Sequence, residues 1–207
     1  MKKLFNVKIN TLALTMMGLF VALEIVLEFL FKIIPGQPQG GSISVALVPI
    51  LLASYLMGAG YGLLVGLAST LLQFALGLAT FYGPWSLVLD YLIPVTIIGL
   101  AAAFPSFRIK VSTSNTHNII GNKNMENAHS FSFPLYIGII IVMIIKFISH
   151  YLSGAWLFAE YAPAGQSPWL YSFGYNIVYC LPTLILCYIV FALIAPSLKN
   201  TLHFNLR

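Results

Sequence analysis

The chain has 207 residues, of which 59% are apolar and only 7% are charged, and its formal net charge is +5. This composition excludes an ordinary soluble domain, because too few polar side chains remain to cover a surface that faces water, and it is typical of a polytopic membrane protein. Long unbroken apolar runs such as LYIGIIIVMIIKFI favour membrane-spanning helices over a barrel, whose strands alternate apolar and polar residues.

Six apolar segments predict membrane-spanning helices, since about 20 mostly apolar residues cross a bilayer. The first is too long for a signal peptide, and no small-residue cleavage site precedes EFLFKIIPG, so we expect it to be retained. The second is the shortest and lies between PGQPQGGS and MGAGYG. We predict one integral membrane domain over residues 1–207, all-α, with helices at about 11–34, 43–57, 59–80, 86–104, 133–158 and 171–195.

The basic residues predict that both termini are cytoplasmic, because Lys and Arg are enriched in cytoplasmic segments. With six spans, the two tails and the polar, Asn-rich loop 105–132 share one side, and we expect this loop to be a mobile cytoplasmic segment. Only Lys32 lies near the other side. The cytoplasmic set is Lys2, Lys3, Lys8, Arg108, Lys110, Lys123, Lys199 and Arg207. The positive charge therefore reflects membrane orientation, and we expect no nucleic-acid partner.

Ionisable residues inside the predicted spans are costly and indicate function or pairing. Glu24 and Glu28 share one face of the first helix, and Lys146 and His150 share one face of the fifth. For Glu24, Glu28 and Lys146 we favour polar contacts between helices, with Lys146 paired to a glutamate of the first helix. Asp90 is too short to reach the membrane surface, so it needs either a partner on another helix or a ligand.

The segment ISHYLSGAWLFAEYAPAGQSPWLYSFGYN, residues 148–176, concentrates the polar and aromatic groups of this apolar chain. His150, Gly154 and Phe158 follow one another at i, i+4 and i+8 on one helical face. Aromatic belts explain Trp and Tyr at membrane borders but not the amide of Asn176. Together with Asp90, these groups predict a pocket that is open to the outer side. Such a pocket suits a small, flat, polar heterocycle, either neutral or cationic.

Several kinds of chemistry are not indicated by any motif. Cys180 and Cys187 are two helical turns apart, about 10 Å, which is too far for a disulfide, so we expect both to be apolar fillers. The sequence has no CxxC, metal-ligand cluster, P-loop or GxSxG. We therefore expect no metal, no cofactor and no ATP hydrolysis by this chain alone.

Three blocks resemble the thiamine-specific substrate-binding subunit, or S component, of energy-coupling-factor (ECF) vitamin transporters. They are GGSISVALVPILLASYLMGAGYGLLVGLASTLLQFALG at 40–77, GPWSLVLDYLIP at 83–94 and KFISHYLSGAWLFAEYAPAGQSPWLYSFGYN at 146–176. The resemblance implies a six-helix S-component fold in the cell membrane that binds one thiamine near the outer face without chemistry. It also implies a partner module of one transmembrane coupling subunit and two ATPase subunits.

The resemblance also implies which residues bind the ligand. Asp90 matches the acidic residue that bonds the aminopyrimidine, and Phe158 stands where some relatives have a tryptophan. The first outer loop carries Gln37, Pro38 and Gln39 but no tryptophan, so Tyr82 or Trp85 is expected to supply the second aromatic face. The full implied set is Asp90, Tyr91, His150, Gly154, Phe158, Tyr171 and Asn176 for thiamine, and the small residues Gly18 and Ala22 for docking to the module.

Three alternatives stay open at this point. An S component for riboflavin, another vitamin or a thiamine precursor would share the fold and differ only in the pocket. An intramembrane enzyme would use His150 with Glu160 or Asp90 as acid and base, but no nucleophile accompanies them. A structural membrane subunit would use its polar residues only to join helices and would bind no ligand.

Overall fold

The structure is a computed structural model that describes residues 5–32, 40–112 and 130–201. These residues form six helices of ten or more residues, one short 3-10 helix at Ala159–Tyr161 and one two-stranded ribbon. We number them in chain order as α1 Thr11–Lys32, α2 Val48–Met57, α3 Ala59–Ala75, α4 Pro84–Ala103, β1 Ser106–Ser112, β2 Ser130–Tyr136, α5 Ile137–Trp156 and α6 Pro168–Thr201.

Four of the described helices are long and apolar enough to cross a membrane: α1, α4, α5 and α6. The helix α2 has only ten residues, about 15 Å, because it begins at Val48 and ends where Gly58 adopts a φ of +119°. The helix α3 has 17 residues, about 25 Å. The predicted helices exist, but the prediction of six full spans is not reproduced, and residues 43–47 lie outside helix α2.

The predicted polar loop 105–132 contains secondary structure that the sequence analysis did not anticipate. Its two ends form an antiparallel ribbon in which Ser106 pairs with Tyr136 and Ser112 pairs with Ser130. The helix α5 consequently begins at Ile137 rather than at 133. The segments SFRIKVS and SFSFPLY each alternate apolar and polar residues, which is a strand pattern that the loop's overall polarity concealed. The remainder of the loop, 113–129, lies outside the described residues.

Glycines bring α3, α4 and α5 into backbone contact. A Cβ on Gly62 would collide with the carbonyl oxygen of Gly99, a Cβ on Gly99 would collide with the Gly62 backbone, and Gly138 lies equally close to Ala101. Ser54 of α2 donates a hydrogen bond to the Gly99 carbonyl at 2.6 Å. Such close approach maximises packing between helices in a solvent that supplies no hydrophobic drive between them.

The helix α1 packs on α2 and α3 through one buried face that carries Ala13, Phe20 and Glu24. Its opposite face is exposed and apolar. Gly18 and Ala22 lie on the exposed part of the helix, and no atom lies within 4 Å of a Cβ built on Gly18. The small-residue pair is thus accessible, and its role in docking stays a prediction.

Candidate functional site

One cavity of about 370 Å³ lies among α1, α3 and α4 on one side and α5 and α6 on the other. It lies at the end of the bundle where α1, α3 and α5 end and α4 and α6 begin. We call the part formed by Glu24, Glu28 and Gln73 the α1–α3 wall, and the part formed by α5 and α6 the α5–α6 wall. The predicted site residues in its lining are Tyr82, Asp90, Tyr91, His150, Gly154, Phe158, Tyr171 and Asn176.

A wide helical turn in α4 presents Asp90 and Tyr91 to this cavity. Residues Leu87–Leu92 form a π-helical turn, in which Ile93 N–H bonds to the carbonyl of Val88. In the same register the next amide would bond to Leu89, but residue 94 is proline and has no N–H. Ser149 Oγ of α5 donates to the Leu89 carbonyl instead, at 2.6 Å. Such turns often occur at functional sites, and this one is stabilised by a neighbouring helix.

The carboxylate of Asp90 is held by three side chains. Ser86 Oγ donates to Oδ2 at 2.8 Å and Ser153 Oγ donates to the same oxygen at 2.7 Å. His150 Nδ1 lies 3.4 Å from Oδ1. The carboxylate therefore joins α4 to α5, as the helix-pairing interpretation expects, and Oδ1 retains acceptor capacity for a donor in the cavity.

Lys146 lies next to His150 rather than next to Glu24. Its Nζ is 2.6 Å from His150 Nε2, whereas the Glu24 carboxylate accepts a hydrogen bond from Gln73. Because an ammonium group only donates, Nε2 is assigned as the acceptor, and Nδ1–H then points at Asp90. The predicted pair between Lys146 and a helix 1 glutamate is thus not formed with Glu24; Lys146 belongs to the lining of the cavity instead.

The α5–α6 wall is a hydrogen-bonded surface centred on Asn176. Its Nδ2 donates to the Ser172 carbonyl at 2.8 Å, and Tyr179 OH donates to its Oδ1 at 2.5 Å. Gly154 allows this approach, since a Cβ there would collide with Ser172 Oγ. The amide that an aromatic belt could not explain is therefore fixed from both ends.

Aromatic rings form the rim of the cavity. Tyr82 and Phe158 meet edge to face with centroids 5.3 Å apart, and Tyr171 and Tyr175 lie 5.9 Å apart. Trp85 does not line the cavity, and its side chain is 69% exposed. Of the two aromatics proposed for the second face of a ligand, the structure brings only Tyr82 to the site.

The segment 40–47 lies along α6 and closes one side of the cavity. Tyr175 OH donates to the Gly40 carbonyl at 2.6 Å, and Gly41, with φ +90°, packs against the ring of Tyr179. Further along, Ser44 N–H donates to Thr183 Oγ1 at 3.4 Å. The preceding residues 33–39, with the predicted loop residues Gln37, Pro38 and Gln39, lie outside the described residues.

Sequence reasoning missed several polar residues that complete the site. Ser86, Ser153 and Ser172 each lie one helical turn from a predicted residue, at 86 and 90, 150 and 153, and 172 and 176. That spacing was a usable signal. Gln73 of α3 carried no such signal, because only the tertiary structure brings it to Glu24.

The electrostatics of the cavity favour a cation over an anion. Its lining contains the carboxyl groups of Glu24, Glu28 and Asp90 but a single lysine, Lys146, among the described residues. Aromatic faces at the rim add attraction for a flat cationic ring. A phosphate group would meet more carboxylates than cations.

The fold and the cavity define a multi-pass membrane protein with an internal cavity lined by polar and aromatic side chains. The chain belongs to the thiamine transporter protein family, whose model matches residues 14–203. It is 32% identical over 187 residues to the thiamine transporter ThiT of Bacillus subtilis strain 168, covering 89% of this chain and 92% of that protein. A solved structure of ThiT from Listeria monocytogenes has the same fold, with a TM-score of 0.66 and 18% identity, covering 90% of this chain and 94% of that one.

Proposed function

We propose that this protein is a high-affinity thiamine-binding S component, which captures thiamine in the cavity described above. The observation that carries the proposal is the meeting of Asp90, His150 and Asn176 from three different helices beneath an aromatic rim. Membership of the thiamine transporter family supports the choice of ligand.

The chemistry of thiamine matches the groups that line the cavity. Its aminopyrimidine offers an exocyclic amine from which Asp90 Oδ1 can accept a hydrogen bond, and its thiazolium is a flat cation that suits the aromatic rim where Tyr82 and Phe158 meet. Tyr91, Gly154 and Tyr171 complete the proposed contact set. No covalent step is part of this proposal, and the protein acts as a carrier rather than as an enzyme.

Transport then needs an energy source from another protein. We assign this role to an ECF module of one transmembrane coupling subunit and two ATPase subunits in the cell membrane, with both termini of this chain in the cytoplasm and the cavity facing outward. The exposed small residues Gly18 and Ala22 of α1 are the proposed docking surface.

Calorimetric titration of the detergent-purified chain tests ligand identity. We expect saturable, one-to-one binding of thiamine and no binding of riboflavin under the same conditions. Calorimetry is preferable to intrinsic fluorescence, since Trp85, Trp156 and Trp169 are all exposed and none lines the cavity. Binding of riboflavin with no heat from thiamine, by a protein of normal size-exclusion profile, would identify an S component for another vitamin.

Docking is tested by separating uptake from binding. Gly18→Leu places a large side chain on the proposed docking surface, where the protein itself leaves open space, so thiamine binding by the purified chain should be retained while uptake by whole cells is lost. Gly174→Leu is the matched control, because Gly174 is also exposed with open space, on α6. Equal uptake by wild type and Gly18→Leu would remove α1 from the docking surface.

A further inference from the structure

Lys146, His150 and Asp90 form a row of contacts in the lining of the cavity, which we call the polar triad. Lys146 Nζ lies 2.6 Å from His150 Nε2, and His150 Nδ1 lies 3.4 Å from Asp90 Oδ1. His150 and Asp90 belong to the proposed contact set for the ligand, whereas Lys146 does not. The contact with Lys146 nevertheless determines what the other two residues can do.

The two neighbours of His150 restrict the protonation of its ring. An ammonium group only donates hydrogen bonds, and a carboxylate only accepts them. Nε2 therefore accepts from Lys146, and Nδ1–H points at Asp90, which is one tautomer of the neutral ring. An imidazolium would turn an N–H at Nε2 against the ammonium group, and two positive charges 2.6 Å apart would repel each other strongly.

The other titratable groups around this part of the cavity do not replace Lys146 in that contact. Tyr179 has its ring centroid 6.0 Å from that of His150, and its OH donates to Asn176. Phenol and thiol groups are ordinarily uncharged below about pH 7.5. The carboxyl groups of α1 lie across the cavity. The described groups are Glu24 and Glu28 of α1, Tyr91 of α4, and Tyr171, Tyr175, Tyr179 and Cys180 of α6.

We propose that Lys146 is a positioning residue that keeps His150 neutral, with its proton on Nδ1 and directed at Asp90. The polar triad thereby gains no further positive charge when the outer solution becomes mildly acidic. The inference rests on the proposed function, because such a charge would repel the cationic thiazolium of thiamine. Lys146 acts through His150 in this role, and capture of thiamine loses nothing to protonation of the ring.

The tautomer is measured first, on the unliganded wild type. Nitrogen NMR of the detergent-purified full chain, labelled with ¹⁵N-histidine, reports which ring nitrogens carry protons, and the His150→Gln protein identifies the signals of His150. We expect a neutral ring protonated on Nδ1 at about pH 7.5 and about pH 6, the range in which histidine ordinarily changes charge. A ring protonated on Nε2, or on both nitrogens, would overturn the proposal without any variant of Lys146.

Thiamine affinity at the same two pH values gives the functional readout. Lys146→Met replaces the ammonium group by an apolar group of similar length. The ratio of wild-type to variant affinity should rise about 4-fold from the higher to the lower pH, as calculated for a histidine that titrates at about pH 6.5 and must be neutral for binding. Titration of the α1 carboxyl groups is common to both proteins and cancels in this ratio.

Two further variants assign the effect to the contact with His150. Lys146→Arg retains a cation that only donates, so its ratio to wild type should not depend on pH. Lys146→Met/His150→Gln has no ring to titrate and should also lack the added pH dependence.

The outcomes separate this role of Lys146 from the proposed function. A Lys146→Met protein that binds thiamine more weakly by the same factor at both pH values would overturn the proposal, because Lys146 would then act by direct contact or packing. A pH dependence that persists in the double variant would overturn it as well. Absence of thiamine binding by the folded wild type would instead overturn the proposed function, and the NMR measurement on the unliganded protein is independent of that result.

Discussion

The contact between α3 and α4 and the cavity between α4 and α5 use small and polar residues in opposite ways. At the first, Gly62 and Gly99 remove side chains so that backbones touch. At the second, Asp90 and its serine partners keep polar groups in a region where they are costly. The first arrangement packs two helices together, whereas the second joins two helices and also leaves acceptor capacity on Asp90 Oδ1 toward the cavity. Four substitutions sharpen or break this comparison.

The largest effect is expected at the glycine contact. Gly99→Leu would force α3 away from α4, because even a Cβ at this position overlaps the Gly62 backbone. Overpacking costs about 1–3 kcal/mol and more where backbone cannot move, so we expect a much lower melting temperature or no folded protein in detergent. Gly18→Leu, in open space, should melt as the wild type does. Equal melting of the Gly99→Leu protein would show that the close contact is dispensable.

A smaller effect, on binding rather than folding, is expected at Asp90. Asp90→Asn keeps the shape and one acceptor but removes the charge that we propose binds the ligand's amine, so thiamine affinity should decrease by about 2 kcal/mol, roughly 30-fold. Calorimetric titration measures this change, with the melting temperature of the unliganded protein as the control. An unchanged affinity would place the amine elsewhere in the cavity.

Gly154→Ala tests whether the α5–α6 wall tolerates any displacement. The added Cβ would collide with Ser172 Oγ, which now donates to the Tyr151 carbonyl and accepts from Asn176. We expect a loss of about 1 kcal/mol in thiamine binding, because one neutral hydrogen bond must rearrange. Gly174→Ala on the exposed side of α6 is the matched control. Identical titrations for the two variants would mean that the wall adapts without cost.

The smallest effect is expected at Phe158. Phe158→Trp offers a more electron-rich face to a cationic ring, so affinity should rise by about 0.5 kcal/mol, and the new indole should be quenched by thiamine. The same substitution in a Trp85→Phe background should show the same quenching, because Trp85 is exposed away from the cavity. A tryptophan at 158 that thiamine does not quench would place the ligand away from this ring.

The helices and most of the candidate site were predictable from local patterns. Apolar runs predicted the long helices α1, α4, α5 and α6, since no other backbone form except a closed barrel satisfies its hydrogen bonds in lipid. Polar residues in those runs indicated Asp90, His150 and Asn176, which line one cavity. The ribbon β1–β2 was missed, because the polar composition of the loop outweighed the alternation at its ends.

By itself, the sequence determined the membrane class, the order of the helices and the kind of polar groups available, because each follows from composition and spacing along one segment. Only the tertiary structure decided which of these groups meet. Glu24 bonds to Gln73, which is 49 residues away in the chain. Lys146 contacts His150 of its own helix instead of Glu24, and Trp85 does not line the cavity. Sequence spacing alone did not distinguish these outcomes from the alternatives. The physical reason is that helix rotation and register depend on packing between segments, to which glycine contacts such as Gly62 with Gly99 contribute.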